Sequence, residues 1–200
     1  MSSNESLLHT LDLLDCMNLQ GLPSFINEMD RLKFLELNGC LIDMLKQDHR
    51  NKNLAVLPYF VVHSDSHDSG SNLFLINDVN RTDLVISRLE NVKSVQEARS
   101  IKLAGKERME QMQLNWTKDV ERFVEDMEVL GELVPPTTLE YLTIAGSNSV
   151  SIAFHLPNLV SISMSDFPKC NSLPPLGQLP ILKFLNLKRM NGISEFLGGP

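Results

Sequence analysis

The chain has 200 residues, 42% hydrophobic and 22% charged, and 18 Lys+Arg against 25 Asp+Glu give a net charge of −7. Those proportions suit one soluble globular body, and the acidic balance lacks the basic footprint of a nucleic-acid binder. No run approaches the roughly 20 apolar residues of a membrane span, and the opening Met1-Ser2-Ser3-Asn4-Glu5-Ser6 lacks the basic and apolar parts of a signal peptide, so a cytoplasmic location is expected.

The first apolar pattern is Leu8-x-x-Leu11-x-Leu13-x-x-Cys16-x-x-Leu19-x-x-Leu22-Pro23, and the second is Leu32-x-x-Leu35-x-Leu37-x-x-Cys40. Leu11 to Leu35 and Cys16 to Cys40 share one spacing of 24 residues, which lies within the period of the leucine-rich repeat. Each alternating triplet predicts a short strand whose leucines face a core, so that Asp12, Phe34 and Glu36 face outward. Cys16 and Cys40 occupy the repeat position that turns inward to satisfy backbone groups of the adjoining turn. A disulfide between them is the sharper alternative, disfavoured by stacked coils and a reducing compartment.

From 41 to 108 the pattern blurs. One strand is expected around 54–62 and another around 84–92, where Leu84-x-Ile86-x-x-Leu89 recurs. The stretch 64–70, Ser-Asp-Ser-His-Asp-Ser-Gly, reads as a polar loop. His63 and His67, with Asp65 and Asp68, invite a metal reading, but an HxxxH pair joins ligands only on a helix and this composition disfavours one; no metal is expected. Ser94-Val95-Gln96-Glu97 is a capping box opening a helix to about Gly105, with Val95, Ala98 and Ile101 on one face. Arg99, Lys102, Lys106 and Arg108 are interleaved with Glu97, Glu107 and Glu110 and read as a solvated face.

Met109-x-x-Met112-x-Leu114 resumes the strand pattern, with Gln113 and Asn115 outward and Trp116 expected as packing at the strand edge. Val120, Phe123, Val124, Met127, Leu130 and Val134 recur at helical spacing up to Pro135-Pro136 and predict a second helix covering the core. A partner-binding amphipathic helix is the alternative. Leu139-x-x-Leu142-x-Ile144 then places Tyr141 and Thr143 outward, and Leu159-x-x-Ile162-x-Met164 places Ser163 outward in the row Ser161, Ser163, Ser165. Cys170 follows a similar turn with no base in view. Finally Leu173-Pro174-Pro175-Leu176-Gly177-Gln178-Leu179-Pro180 leads into Leu182-x-x-Leu185-x-Leu187, with Leu185 and Leu187 facing a core and Phe184, Asn186 and Lys188 outward. Seven strands are expected in all.

Chemistry is conspicuously missing. Gly105-Lys106 lacks the upstream glycine of a phosphate-binding loop, and there is neither a G-x-S-x-G elbow nor an H-E-x-x-H pair. Without a His–acid pair in register the serines are polar residues on the outer side of a strand, so no enzyme, catalytic residue or cofactor is expected. Asn4, Asn80 and Asn115 begin Asn-x-Ser/Thr triplets, which read as incidental because glycosylation requires secretion.

Leu57-Pro58-Tyr59-Phe60-Val61-Val62, Leu89-Glu90-Asn91-Val92 with Ala98, Leu114-Asn115-Trp116, Val134-Pro135-Pro136 before Leu139, and the segment 173–180 stand in an order that resembles the repeat region of plant nucleotide-binding, leucine-rich-repeat resistance proteins of the coiled-coil class. The resemblance covers essentially the whole chain. It implies an α/β leucine-rich-repeat solenoid, curved, with short parallel strands on the concave side and irregular turns and a few helices on the convex side. The expected organisation is one domain over 1–200: N-terminal repeats in 1–62, irregular repeats with loop and helical insertions in 63–135, and C-terminal repeats in 136–200.

The function the resemblance implies is protein recognition in plant defence, binding a pathogen effector or a host protein on the concave face. The expected contacts are Asp12, Phe34, Glu36, Gln113, Asn115, Tyr141, Thr143, Ser163, Phe184, Asn186 and Lys188, with Phe34, Tyr141 and Phe184 as anchors. The alternatives are a regulatory clamp or decoy acting on a nucleotide-binding domain, and a substrate adaptor of the ubiquitin-ligase kind. The chain departs from the family's architecture in carrying neither a coiled-coil nor a nucleotide-binding segment, so nucleotide binding is not carried over. Solenoid ends need caps, and none is evident, which suggests a fragment, a truncated product, or a piece that docks onto something else.

Overall fold

Alternating apolar triplets form short strands at every motif the sequence marks. The computed structural model describes residues 7–13, 28–37, 55–64, 70–148, 155–170 and 176–190, together with 16, 18, 19, 22 and 26. Packing divides the chain into two units, Met1–Val61 and Val62–Pro200. Nine strands occur among the described residues, against the seven expected. The apolar motifs themselves number eight, and the ninth strand arises because 54–62 holds two strands instead of one.

In the first unit β1 (Thr10–Asp12), β2 (Phe34–Glu36) and β3 (Ala55–Leu57) pair in parallel in chain order, followed by β4 (Tyr59–Val61). Leu35 lies in register between Leu11 and Val56. Its side chain is fully buried with Ile26, Leu32 and Leu37, and Leu11, Leu13, Leu19, Leu22 and Met29 pack partly against them.

The second unit is built on β5 (Asp83–Ser87), β6 (Gln111–Asn115), β7 (Tyr141–Ala145), β8 (Ser161–Ser165) and β9 (Phe184–Lys188), again parallel and in chain order. Leu84, Met112, Leu142, Ile162 and Leu185 form one register column; Ile86, Leu114, Ile144, Met164 and Leu187 form the next. Met109, Leu139 and Leu159, one turn before their strands, are fully buried.

Strands β6 to β9 each begin with a shared carbonyl. Thr82 O accepts from Glu110 N (2.8 Å) and Gln111 N (2.9 Å), Glu110 O from Glu140 N and Tyr141 N, Glu140 O from Val160 N and Ser161 N, and Val160 O from Lys183 N and Phe184 N. Each strand ends on a second regularity: Arg88, Gly146, Asp166 and Arg189, the residues just after β5, β7, β8 and β9, all have positive φ. After β6 the corresponding residue is Trp116, which takes no such kink, and its carbonyl lies so close to Gly146 that a Cβ there would sit 2.1 Å from it.

Two helices fill long connections. In α1 (Val95–Ser100) the Ser94 hydroxyl caps Glu97 N, as the sequence predicts. The Glu97 carboxylate accepts from Lys93 N (3.0 Å), Ser71 N (2.8 Å) and Ser71 Oγ (2.9 Å), tying the helix start to a distant turn. The helix stops at Ser100, short of Gly105, because Lys102 takes the left-handed conformation that terminates helices. Ala98 and Ile101 are buried as predicted.

The second helix corrects the sequence reading in both length and phase. α2 runs only over Asp126–Glu132, and its buried side is Asp126, Val129 and Leu130, continued by Leu133. Val120, Phe123, Met127 and Val134, read from spacing as the covering face, are exposed. The cause is Arg122. Its guanidinium donates to Thr117 O (2.9 Å), Val120 O (3.0 Å) and Gly146 O (3.2 Å), while its Nε pairs with Asp126 Oδ1 at 2.9 Å. The helix starts at Asp126 and turns that carboxylate inward, where Arg122 neutralises it.

Other expectations need smaller corrections. The strand expected over 84–92 ends at Ser87, and Leu89–Asn91 is a 3-10 turn. Leu185 is 43% exposed and Leu187 half-buried, although both stand in the core columns, because among the described residues β9 is the last strand of its sheet and pairs only with β8. Cys16 is exposed and so is not an inward ladder residue; its own backbone groups are satisfied by Leu13 and Leu19. Cys40, His67, Asp65 and Asp68 lie outside the described residues.

Candidate protein-binding face

Alternation fixes what the second sheet shows outward. The first outward row is Asp83, Gln111, Tyr141, Ser161 and Phe184; the second is Val85, Gln113, Thr143, Ser163 and Asn186; the third includes Asn115, Ala145, Ser165 and Lys188. All are half-buried or exposed, while the residues between them on β5 to β8 are buried.

The predicted contacts on this sheet therefore fall together. Gln113, Thr143, Ser163 and Asn186 form one continuous row, and Asn115 and Lys188 share the next. Tyr141 (44% exposed) and Phe184 (63%) stand in the same row, separated by Ser161. With neighbouring strands roughly 4.8 Å apart, the two positions stand about 9–10 Å from each other across Ser161. Asn115 is oriented within the face, accepting from Gln113 Nε2 (3.0 Å) and donating to Ser87 Oγ (3.2 Å).

Asp12, Phe34 and Glu36 lie in the first unit. Asp12 is exposed, and Phe34 and Glu36 are half-buried on either side of the buried Leu35.

Residues 72–190, more than half of the chain and including all of β5 to β9, match the family described as R13L1/DRL21 LRRs. The chain belongs to this family of leucine-rich repeats. Among curated relatives it is 34% identical over 113 residues to "Disease resistance protein RGA2" of Solanum bulbocastanum, covering 51% of this chain and 11% of that protein. It is 30% identical over 195 residues to "Putative disease resistance protein RGA4" of the same species, covering 93% of this chain and 19% of that one. "Putative disease resistance protein At3g14460" of Arabidopsis thaliana is 30% identical over 151 residues, 65% of this chain and 11% of its own. The chain thus spans a tenth to a fifth of the length of these relatives. No solved structure matches.

In this leucine-rich-repeat sheet the ends of the strands carry charge that motif spacing did not point to. Asp166, following β8, accepts both Nε and Nη2 of Arg189 at 2.6 Å and also contacts the Lys118 ammonium. The Arg189 hydrogen bonds, then Lys118, hold its carboxyl well below the usual carboxylate range. Lys118, Arg189 and Lys188 remain exposed, so the trailing edge of the face is cationic. The outward row Ser161, Ser163 and Ser165 stands as the sequence reading has it, and the register rule could have found Gln111 as well; the meeting of Lys118 with Asp166 across two repeats had no sequence signal.

Trp116 is buried, 5% exposed, in keeping with its expected packing at the strand edge. Among the described residues no His/Cys/Asp/Glu group is arranged to hold a metal, and no helix is long and apolar enough to cross a membrane.

Proposed function

We propose that this chain is a non-catalytic recognition module of a longer plant-defence receptor, acting in the cytoplasm as one leucine-rich-repeat domain. It binds a pathogen effector, or a host protein that an effector modifies, through the outward strand positions. The observation that carries the reading is the solvent-facing row with Tyr141 and Phe184 on either side of Ser161. Exposed aromatics in a polar surround are the residue types that dominate interface energetics. Gln113, Asn115, Thr143, Ser163, Asn186 and Lys188 supply orientation and specificity around them. Asp12, Phe34 and Glu36 extend the same role to the first unit.

The test is a pull-down and titration panel of candidate effectors and host proteins against wild-type chain and Tyr141→Ala and Phe184→Ala variants. Binding should fall at least about tenfold in each variant, the ordinary minimum for an interface hot spot. A partner held as tightly by the double variant as by wild type would refute the assignment of these two anchors.

A further inference from the structure

The turns that follow the strands carry their charges unevenly. Arg88 after β5, Lys118 after β6, and Lys188 and Arg189 at the end of β9 are exposed. Of the carboxylates in the same turns, Glu90 and Asp166 are withdrawn into the fold, and only Asp119 is exposed. In a chain of net charge −7, this edge shows water the opposite sign.

The two buried carboxylates join neighbouring turns. Glu90 lies 3.8 Å from Arg88 Nε and accepts from Thr117 N (2.9 Å), the residue before Lys118. Asp166 contacts the Lys118 ammonium and takes Arg189 through Nε and Nη2. The cations therefore stand along one continuous edge, in the order Arg88, Lys118, Arg189, with Lys188 beside the last.

Asp166 cannot neutralise what surrounds it. Lys118, Lys188 and Arg189 are three cations against its one negative charge, a net +2 at this corner. The carboxylate is 10% exposed, while Lys118 and Arg189 are 54% and 64% exposed. An ammonium has three donors and a guanidinium five. Lys118 and Arg189 thus keep N–H groups beyond those given to Asp166, and Lys188 has no ion pair among the described residues.

Register ties this corner to the recognition face. Phe184, Asn186 and Lys188 share the outward side of β9, opposite Ser161, Ser163 and Ser165 of β8. At about 3.3 Å per residue, Lys188 stands about 13 Å along the strand from Phe184. The outward side chains of these two strands pass from aromatic, through hydroxyl and amide, to cationic.

We infer that the partner of this face is an acidic segment whose carboxylates meet Lys118, Lys188 and Arg189. In an extended segment those carboxylates lie about four residues from the apolar side chain that meets Phe184. The inference rests on Tyr141 and Phe184 being the anchors, and adds the charge and spacing of what they anchor. Opposite charge at this corner fixes the register of the segment and rejects basic competitors.

The probe is a fluorescein-labelled Ser/Gly peptide with one leucine and three consecutive glutamates beginning four residues after it, titrated into the 200-residue chain by anisotropy. One control replaces the glutamates by lysines, and a second replaces the leucine by serine. The glutamate peptide should bind at least about tenfold more tightly than the lysine peptide and weaken as salt is raised. Lys188→Glu should weaken it at least about tenfold without lowering the unfolding midpoint. Arg108→Glu makes the same change of charge at the other end of the strands and should leave affinity within about twofold. The leucine-to-serine peptide and the Tyr141→Ala/Phe184→Ala chain report on the anchors separately: a missing leucine preference faults the anchors, while the glutamate-to-lysine contrast still tests the corner. No binding of the glutamate peptide, equal binding of the lysine peptide, or equal losses in Lys188→Glu and Arg108→Glu overturns the inference.

Discussion

Gly146→Ala tests how tightly one repeat is set against the next. Gly146 has φ +77, and a Cβ placed on it would lie 2.1 Å from Trp116 O and 3.0 Å from Trp116 C. Ordinary C···O contacts are about 3.3 Å or longer, so the two backbones must part by roughly 1 Å. The left-handed conformation alone costs an L-residue about 1–2 kcal/mol. Parting the strands also strains Trp116 N→Ala145 O (2.9 Å) and Gly146 N→Ser165 O (3.0 Å), each worth about 0.5–1.5 kcal/mol net. A total loss of about 2–5 kcal/mol follows from these contributions. At roughly 2–4 °C per kcal/mol for a body of this size, that lowers the midpoint by about 4–20 °C. Gly131→Ala supplies the opposite sign, a gain of about 0.5–1 kcal/mol, because its site is open and helical. Thermal and urea unfolding of both variants, followed by circular dichroism, measures the contrast. A Gly146→Ala chain as stable as wild type would mean that the close approach does not hold the strands, and the reasoning would fail.

Removing the Asp126 carboxylate should also be costly: Asp126→Ala strands the Arg122 guanidinium, whose side chain is only 9% exposed, and takes away the carboxylate to which Asn148 N and Ser147 Oγ donate. Breaking one side of a buried ion pair costs about 3–5 kcal/mol, so a urea-derived loss below about 1 kcal/mol would discount the network. Asp166 gives a pH dependence. Its folded pKa lies below the ordinary value, so its contribution is complete above the unfolded pKa near 3.8 and disappears as pH falls through the folded value. Wild type should therefore lose more stability than Asp166→Asn between about pH 5 and 2, and parallel acid-unfolding curves would contradict this. Tyr141→Ala and Phe184→Ala should shift stability by no more than about 0.5 kcal/mol, as exposed substitutions do, so that any loss of partner binding reports the interface itself; a large drop in midpoint would mean that the rings pack instead of waiting for a partner.

Strand positions were legible because a two-residue alternation leaves little freedom: once Leu142-x-Ile144 is a strand, Thr143 must face the other way. That logic recovered the outward residues of β6 to β9 without any knowledge of pairing. It failed at α2 for an equally physical reason. Spacing arguments exclude a carboxylate from a core, yet Asp126 is buried because Arg122 neutralises it, so the apolar count settled on the wrong helical phase. Exposure of Leu185 was hidden too, since periodicity tells which side a residue faces and not how many strands lie beyond it. The Lys118–Asp166–Arg189 group joins turns after three different strands and depends on stacking that no local pattern encodes.

The shared carbonyl at the start of β6 to β9 has a consequence for how such a protein can vary. Thr82 O, Glu110 O, Glu140 O and Val160 O each grip two successive N–H groups of the following strand. Register is thereby set at one point per repeat, on the backbone, regardless of what lies between. The connection from β6 to β7 carries the α2 insertion, while that from β7 to β8 is ten residues shorter, and both strands arrive in step. Lengthening, shortening or rebuilding a connection leaves the rows of the sheet aligned, so the outward rows and the connections between strands are free to diversify independently of each other.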